Sequence, residues 1–143
     1  MLLVGVDLAW GERNRDGVCL IEAAGSSGPA SVVESRWTLG DRSLFDWLEA
    51  SATDAPCLVA VDAPLVCPNR EGSRPVDRLT HRLFGRQHAG CHPSNARLCA
   101  RPLRIARELR SRGFALGWDT AVPRLAMEDY PHPAMFRWFD LPR

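Results

Sequence analysis

No window of the chain is long and apolar enough to cross a bilayer. The run Met1 to Val6 is cut by Asp7, has no basic flank and carries no cleavage-like site, so it reads as neither a membrane span nor an export signal. The expectation is a cytoplasmic protein without membrane contact. The five cysteines, Cys19, Cys57, Cys67, Cys91 and Cys99, are odd in number and form no C-x-x-C pair, which argues against a disulfide framework and leaves reduced thiols. Neither G-x-x-x-x-G-K-[ST] nor G-x-G-x-x-G occurs, so the common phosphate-cradling loops are missing. Lysine is absent, and all 18 basic residues are arginine. That usage points to coding composition and carries little functional weight. There are no internal repeats and no low-complexity tract.

What is present suits one folded domain. The 143 residues are 45% hydrophobic and 24% charged, enough for a single buried core. The net charge of +1 hides an uneven distribution. Residues 1–69 hold four arginines against ten acids, a net of −6. Residues 70–112 hold eleven arginines against three acids, a net of +8. An acidic part followed by an arginine-rich one fits a site that holds a polyanion beside cations, although arginines on amphipathic helices more often solvate a face.

Leu2 to Leu8 reads as a strand buried on both faces, broken near its end by Asp7. Turn chemistry from Gly11 to Gly17 predicts a hairpin into a second strand over Val18 to Ala23, and Ser31 to Leu39 alternates as a third. Asp41 is expected to cap a helix reaching Ala52. Cys57 to Val61 is a second apolar run, ended by Asp62 as the first is by Asp7, and a right-handed crossover lays it parallel to strand one. Pro75 can start a helix with Leu79, Leu83 and Phe84 on one side, and Pro102 one that ends before Gly113. A short strand over Leu125 to Met127 ends in Glu128, and Ala134 to Phe139 can begin a last helix. The expected whole is a single α/β domain over 1–143, with an Arg-rich helical and loop insertion at about 66–113.

A carboxylate at the end of a buried strand costs several kcal/mol unless it is hydrogen-bonded or metal-bound. Parallel neighbours lie roughly 4.8 Å apart, so Asp7 and Asp62 at matching ends repel unless a hard divalent cation sits between them. The bland alternative is that each merely caps a turn.

Several segments together carry a resemblance. They are Gly5-Val6-Asp7-Leu8-Ala9-Trp10-Gly11, Val61-Asp62-Ala63-Pro64-Leu65 with Asn69-x-x-Gly72-x-Arg74-Pro75, His92-Pro93-Ser94-Asn95, and Glu128-Asp129-Tyr130-Pro131-His132-Pro133. In that order they resemble the domain-of-unknown-function 429 family, described as predicted nucleases of RNase H-like fold. The resemblance implies a mixed sheet, with a three-strand antiparallel meander plus parallel strands. It also implies Mg²⁺ or Mn²⁺ held by Asp7, Asp62 and Glu128, and cleavage of phosphodiester bonds. Family members usually continue past Arg143, so the chain reads as C-terminally shortened, and a homo-oligomer or a completing partner chain follows as an expectation. Asp129 stands where the family is commonly apolar and reads as a solvated strand end rather than a replacement ligand. Asp77 stands where glutamate is expected.

Nucleic acid or another phosphate-bearing anion is the expected substrate, with Asn69, Arg74, Arg78, His92 and His132 as its contacts. Arg74, Arg78 and Arg82 recur every fourth residue, which on a helix makes a basic stripe. His132 is a candidate to orient water or shuttle a proton. Three rivals remain: a non-catalytic RNase H-fold binding protein, a zinc module of His88, Cys91 and His92 with Cys99 or Cys67, and an ATP-binding relative with a poor phosphate hairpin.

Overall fold

Six strands form one mixed sheet in a computed structural model that describes residues 1–25, 28–52 and 56–139. In chain order the elements begin with β1 (Leu2–Asp7), β2 (Arg15–Ala23), β3 (Ala30–Leu39), α1 (Gly40–Ser51) and β4 (Cys57–Val61). They continue with α2 (Pro75–Phe84), α3 (Ala100–Ser111), β5 (Ala115–Leu116), β6 (Arg124–Glu128) and α4 (Pro131–Trp138). Across the sheet the order is β3-β2-β1-β4-β6-β5. The first three strands are an antiparallel meander, whereas β4 runs parallel to β1, β6 to β4 and β5 to β6.

The meander, the helix between β3 and β4 and the parallel pairing of β4 with β1 stand as the sequence predicts. One expectation fails in an instructive way: β1 is not buried on both faces, and neither is its parallel neighbour β4. Val4, Val6, Val59 and Val61 are buried, but Gly5 and Ala60 between them are only half-buried. The reason is the layering. Leu44, Phe45 and Leu48 of α1 and Ile105, Ala106 and Leu109 of α3 join the first set in one core cluster, each large side chain contributing about 1.5–3 kcal/mol by leaving water. The opposite face holds small residues, Gly5, Cys19 and Ala60, and Met135 of α4 lines the hollow above them.

The helix ends show where side-chain bonds overrule simple capping rules. Gly40 begins α1, and Asp41 lies in its first turn without capping it. Its carboxylate instead accepts from Arg101 and Arg104 of α3 at 2.9 and 2.6 Å. Gly113 follows α3 at φ +83°, the left-handed conformation in which glycine avoids the Cβ clash. Pro75 opens α2 as read, but the apolar side of α2 does not reach the core, and Val76, Leu79 and Leu83 remain exposed. The two-residue β5 and the start of α4 at Pro131 were not foreseen. No described helix is long and apolar enough to cross a membrane.

Candidate active site at the carboxylate edge

The strand register fixes which acids meet. Val6 lies opposite Val61, and the amide of Asp62 donates to the carbonyl of Val6 at 2.8 Å, which places Asp62 beside Asp7. Val61 lies opposite Glu128, and the amide of Asp129 donates to the carbonyl of Val61 at 2.8 Å, which places Asp129 beside Asp62. Side chains alternate along a strand, so Asp7, Asp62 and Asp129 form a row on one side of the sheet, while Glu128 starts from the other side, with Val61. Burial raises the pKa of Asp62, the charges of Asp7 and Asp129 raise it further, and only the neighbouring His132 works against them. Like charges are therefore concentrated at one edge.

Glu128 is committed elsewhere. Arg74 donates through Nη2 to Glu128 Oε1 at 2.6 Å and through Nη1 to Oε2 at 2.8 Å, a bidentate pair. The amide of Leu65 donates to the same Oε2 at 3.1 Å. Arg74 also reaches Asp77 Oδ1 from Nε and Nη2, at 3.0 and 2.8 Å. Burial opposes the charge on Arg74, but the bonds to Glu128 and Asp77 outweigh it and strengthen its hold on the proton. The i, i+4 arginine stripe thus loses its first member, because Arg74 points inward and its guanidinium is engaged by carboxylates. Arg78 and Arg82 are exposed, and Arg78 Nη1 donates to the carbonyl of Ser73 at 2.5 Å.

Asn69 serves the loops around this centre. Its Nδ2 donates to the carbonyls of Glu71 and Ser94, both at 3.0 Å, while its buried Oδ1 has no hydrogen-bond partner. The amide of Ser94 donates to Asp77 Oδ2 at 3.0 Å, and Asn95 Nδ2 donates to the carbonyl of Gly72 at 2.8 Å. Asn69, Asp77, Ser94 and Asn95 thereby tie the loop after β4 to the loop before α3. His92 and His132 are exposed and line a cleft of about 460 Å³ together with Asp7, Asp62 and Asp129. Tyr130 lies beside His132 with ring centroids 5.8 Å apart and donates its hydroxyl to the carbonyl of Gly90 at 3.1 Å.

A second group, missed in the sequence, fixes the loop that follows Asp7. Arg101 of α3 donates to both carboxylate oxygens of Asp16, at 2.8 and 2.7 Å, and to the carbonyl of Ala9 at 2.5 Å. Asp16 in turn accepts from the amide of Ala9 at 2.9 Å. Asp16 is 0% and Arg101 5% exposed, so an acid that looked like a turn residue is half of a buried ion pair.

Among the described residues, no three His, Cys, Asp or Glu side chains are gathered closely enough to hold a metal ion. The zinc arrangement thus lacks a gathered ligand set, and so do the Asp7, Asp62 and Glu128 trio and the row of Asp7, Asp62 and Asp129 as they stand. The cysteines are free thiols, and burial together with the adjacent Cys99 pushes Cys67 up to about 12. For a hard divalent cation, the donor set that fits by chemistry is the carboxylate row, not Glu128. All its donors are oxygens, it carries excess negative charge, and it opens to solvent.

A mixed sheet with this strand order, helices on its core face and acids at its edge is consistent with an RNase H-like α/β fold. The sequence model of the family described as "Protein of unknown function (DUF429)" matches residues 5–143, and the chain belongs to that family. No curated protein and no solved structure matches it.

Proposed function

We propose that this chain hydrolyses phosphodiester bonds of nucleic acid at the carboxylate edge, with Mg²⁺ or Mn²⁺ held by Asp7 and Asp62 and with Asp129, rather than Glu128, as the third carboxylate. The observation that carries the reading is the register, which sets three acids side by side on adjacent strand ends. A divalent cation at such a cluster supplies an acidified water and a positive charge for the oxygens of the phosphate. The chain's own part is positional. Asp7 is steadied by the pinned loop after β1, and Asp62 by its amide bond to Val6. His132, near enough to Asp62 to act on its pKa, is placed to exchange a proton with solvent or with a leaving group. His88 and His92 line the same cleft and can meet phosphate oxygens, a task that Arg74 cannot perform while it is bound to two acids.

The test is a titration of Mg²⁺ and Mn²⁺ against wild type and Asp7→Asn, with cleavage of labelled single- and double-stranded substrates followed in the same samples. Cation-dependent cleavage that falls by at least about a hundredfold in the variant, the scale of losing an essential metal-site group, is the expected result. Cleavage insensitive to Asp7→Asn, or none with either ion, overturns the reading.

A binding-only role is the second reading. Both Glu128 oxygens are committed to Arg74, one of them also to the Leu65 amide, and no three-ligand group is gathered. Nucleic-acid binding without turnover at any cation concentration would select it.

A further inference from the structure

The row of side chains on the carboxylate face continues past Asp7. Asp7 lies opposite Gly17, and Gly17 opposite Trp37. A Cβ added at Gly17 would sit 3.4 Å from Trp37 Cζ3 and 3.5 Å from Asp7 Cβ, so the indole and the carboxylate flank one position that has no side chain. Trp37 is 62% exposed and lines a hollow of about 590 Å³ with Asp7, Asp62, Asp129 and His132. Those same four residues also line the 460 Å³ cleft, and Trp10, 57% exposed, lines it with them. Trp10 does not hang on a loose loop, because both the amide and the carbonyl of Ala9 are tied to the buried Asp16–Arg101 pair.

Two exposed indoles therefore line two hollows that share one carboxylate row, one of them following a residue pinned by a costly buried ion pair. Packing does not account for side chains left this far in water, whereas the face of an indole suits the face of any nucleobase. Bases of an intact duplex are stacked on one another and offer only their edges in the grooves. Arginine is sparse here as well. Among the described residues, Arg36 and Arg74 are the arginines that line the two hollows, and Arg74 is engaged by Glu128 and Asp77. Affinity must then come less from phosphate contacts than from stacking.

We propose that the site takes an unpaired nucleic-acid strand, with the bases on either side of the reacting phosphate stacked on Trp37 and Trp10. This rests on the phosphodiester reading of the same edge. The experiment measures binding of a labelled single strand, its duplex and free adenosine monophosphate to the full chain with Ca²⁺ in place of Mg²⁺, and cleavage in parallel with Mg²⁺. The single strand should bind at least about tenfold tighter than the duplex. Trp37→Ala and Trp10→Ala should each weaken strand binding about 5- to 150-fold, the range that ~1–3 kcal/mol per stacked base converts to. Trp37→Phe and Trp10→Phe should restore most of it, with unchanged thermal midpoints throughout.

Equal affinity for the duplex, Ala variants that bind like wild type, or a free nucleotide bound as tightly as the strand would each overturn the proposal. Any of these with Mg²⁺-dependent cleavage intact leaves the hydrolase reading standing. Tryptophan-dependent strand binding with no cleavage under any cation sinks the hydrolase reading and, with no reacting phosphate, leaves only stacking of an unpaired strand in a binding-only role.

Discussion

Asp129 is one residue further along the chain than Glu128, and in a strand that single step turns a side chain to the other face of the sheet. The two acids should therefore respond differently to loss of charge. Asp129→Asn, at an exposed position, is expected to lower cation-dependent cleavage by about tenfold or more, as loss of a metal-site group does, and to leave the urea midpoint unchanged. Glu128→Gln deprives the largely buried Arg74 of one of its two carboxylate partners and should cost about 1–3 kcal/mol of stability. Equal and purely catalytic losses in both variants would return Glu128 to the ligand set.

Asp62 gives a prediction of the opposite sign. Burial first, and then Asp7 and Asp129, raise its pKa above the ordinary 3.8, so the folded chain binds this proton more tightly than the unfolded one. Stability is then lost as pH rises from about 3.8 through the raised value. Asp62→Asn should raise the thermal midpoint at pH 7 in cation-free buffer, with the gain shrinking below pH 3.8 and on adding Mg²⁺. A lowered midpoint at pH 7 would show that the carboxylate is stabilised there by contacts it does not have in this structure. At this scale the sequence shows that acids end the buried strands, since each interrupts an apolar run. Which of two adjacent acids joins the row depends on pairing register, and composition does not carry that.

Helix α3 shows how an element can be recognised from sequence while its task is missed. The periodicity of Leu103, Ala106 and Leu109, together with Gly113, marks the helix and its end to within two residues. Nothing local shows that Arg101 at its start crosses to the β1–β2 hairpin, because its partners lie 85 and 92 residues away. Removing one member of a buried pair leaves the other charge without compensation. Arg101→Met should accordingly destabilise the fold by about 3–5 kcal/mol, measured by urea unfolding, and should loosen Ala9 and Trp10 with it. A cost below about 1 kcal/mol, the range of exposed pairs, would mean that solvent reaches Asp16. Helix α2 makes the converse point: its 3.6-residue pattern locates the helix correctly, yet Val76, Leu79 and Leu83 stay exposed, because amphipathicity specifies a face and not what covers it.

Across the whole molecule, much of the charge asymmetry is resolved by ion pairs between the two parts. Arg101 pairs with Asp16 and Asp41, Arg104 with Asp41 and Glu12, and Arg112 with Glu49, each joining α3 or the residue that ends it to the acidic first half of the chain. The polyanion reading of the arginine-rich stretch is weakened to that extent, since arginines spent on the fold cannot also hold a phosphate.

The same pairing sets how the protein should fail in acid. Burial opposes ionisation of Asp41 and of Asp77, but hydrogen bonds from Arg104 and Arg101 to the first, and from the Arg74 side chain and the amides of Arg74 and Ser94 to the second, outweigh it. Both carboxyls titrate below the ordinary 3.8 in the folded state. The unfolded chain takes up these protons first as pH falls, so the stability the two groups contribute is complete above 3.8 and is lost through their lower folded values. Urea unfolding followed from about pH 5 down to pH 2 should show a steep acid limb, shallower in Asp77→Asn than in wild type. The exposed Asp46→Asn serves as the control and should leave that slope unchanged. An acid limb that Asp77→Asn does not alter would mean that the Arg74 centre opens before its carboxylates titrate, with the fold held at low pH by the apolar contacts between α1, α3 and the sheet.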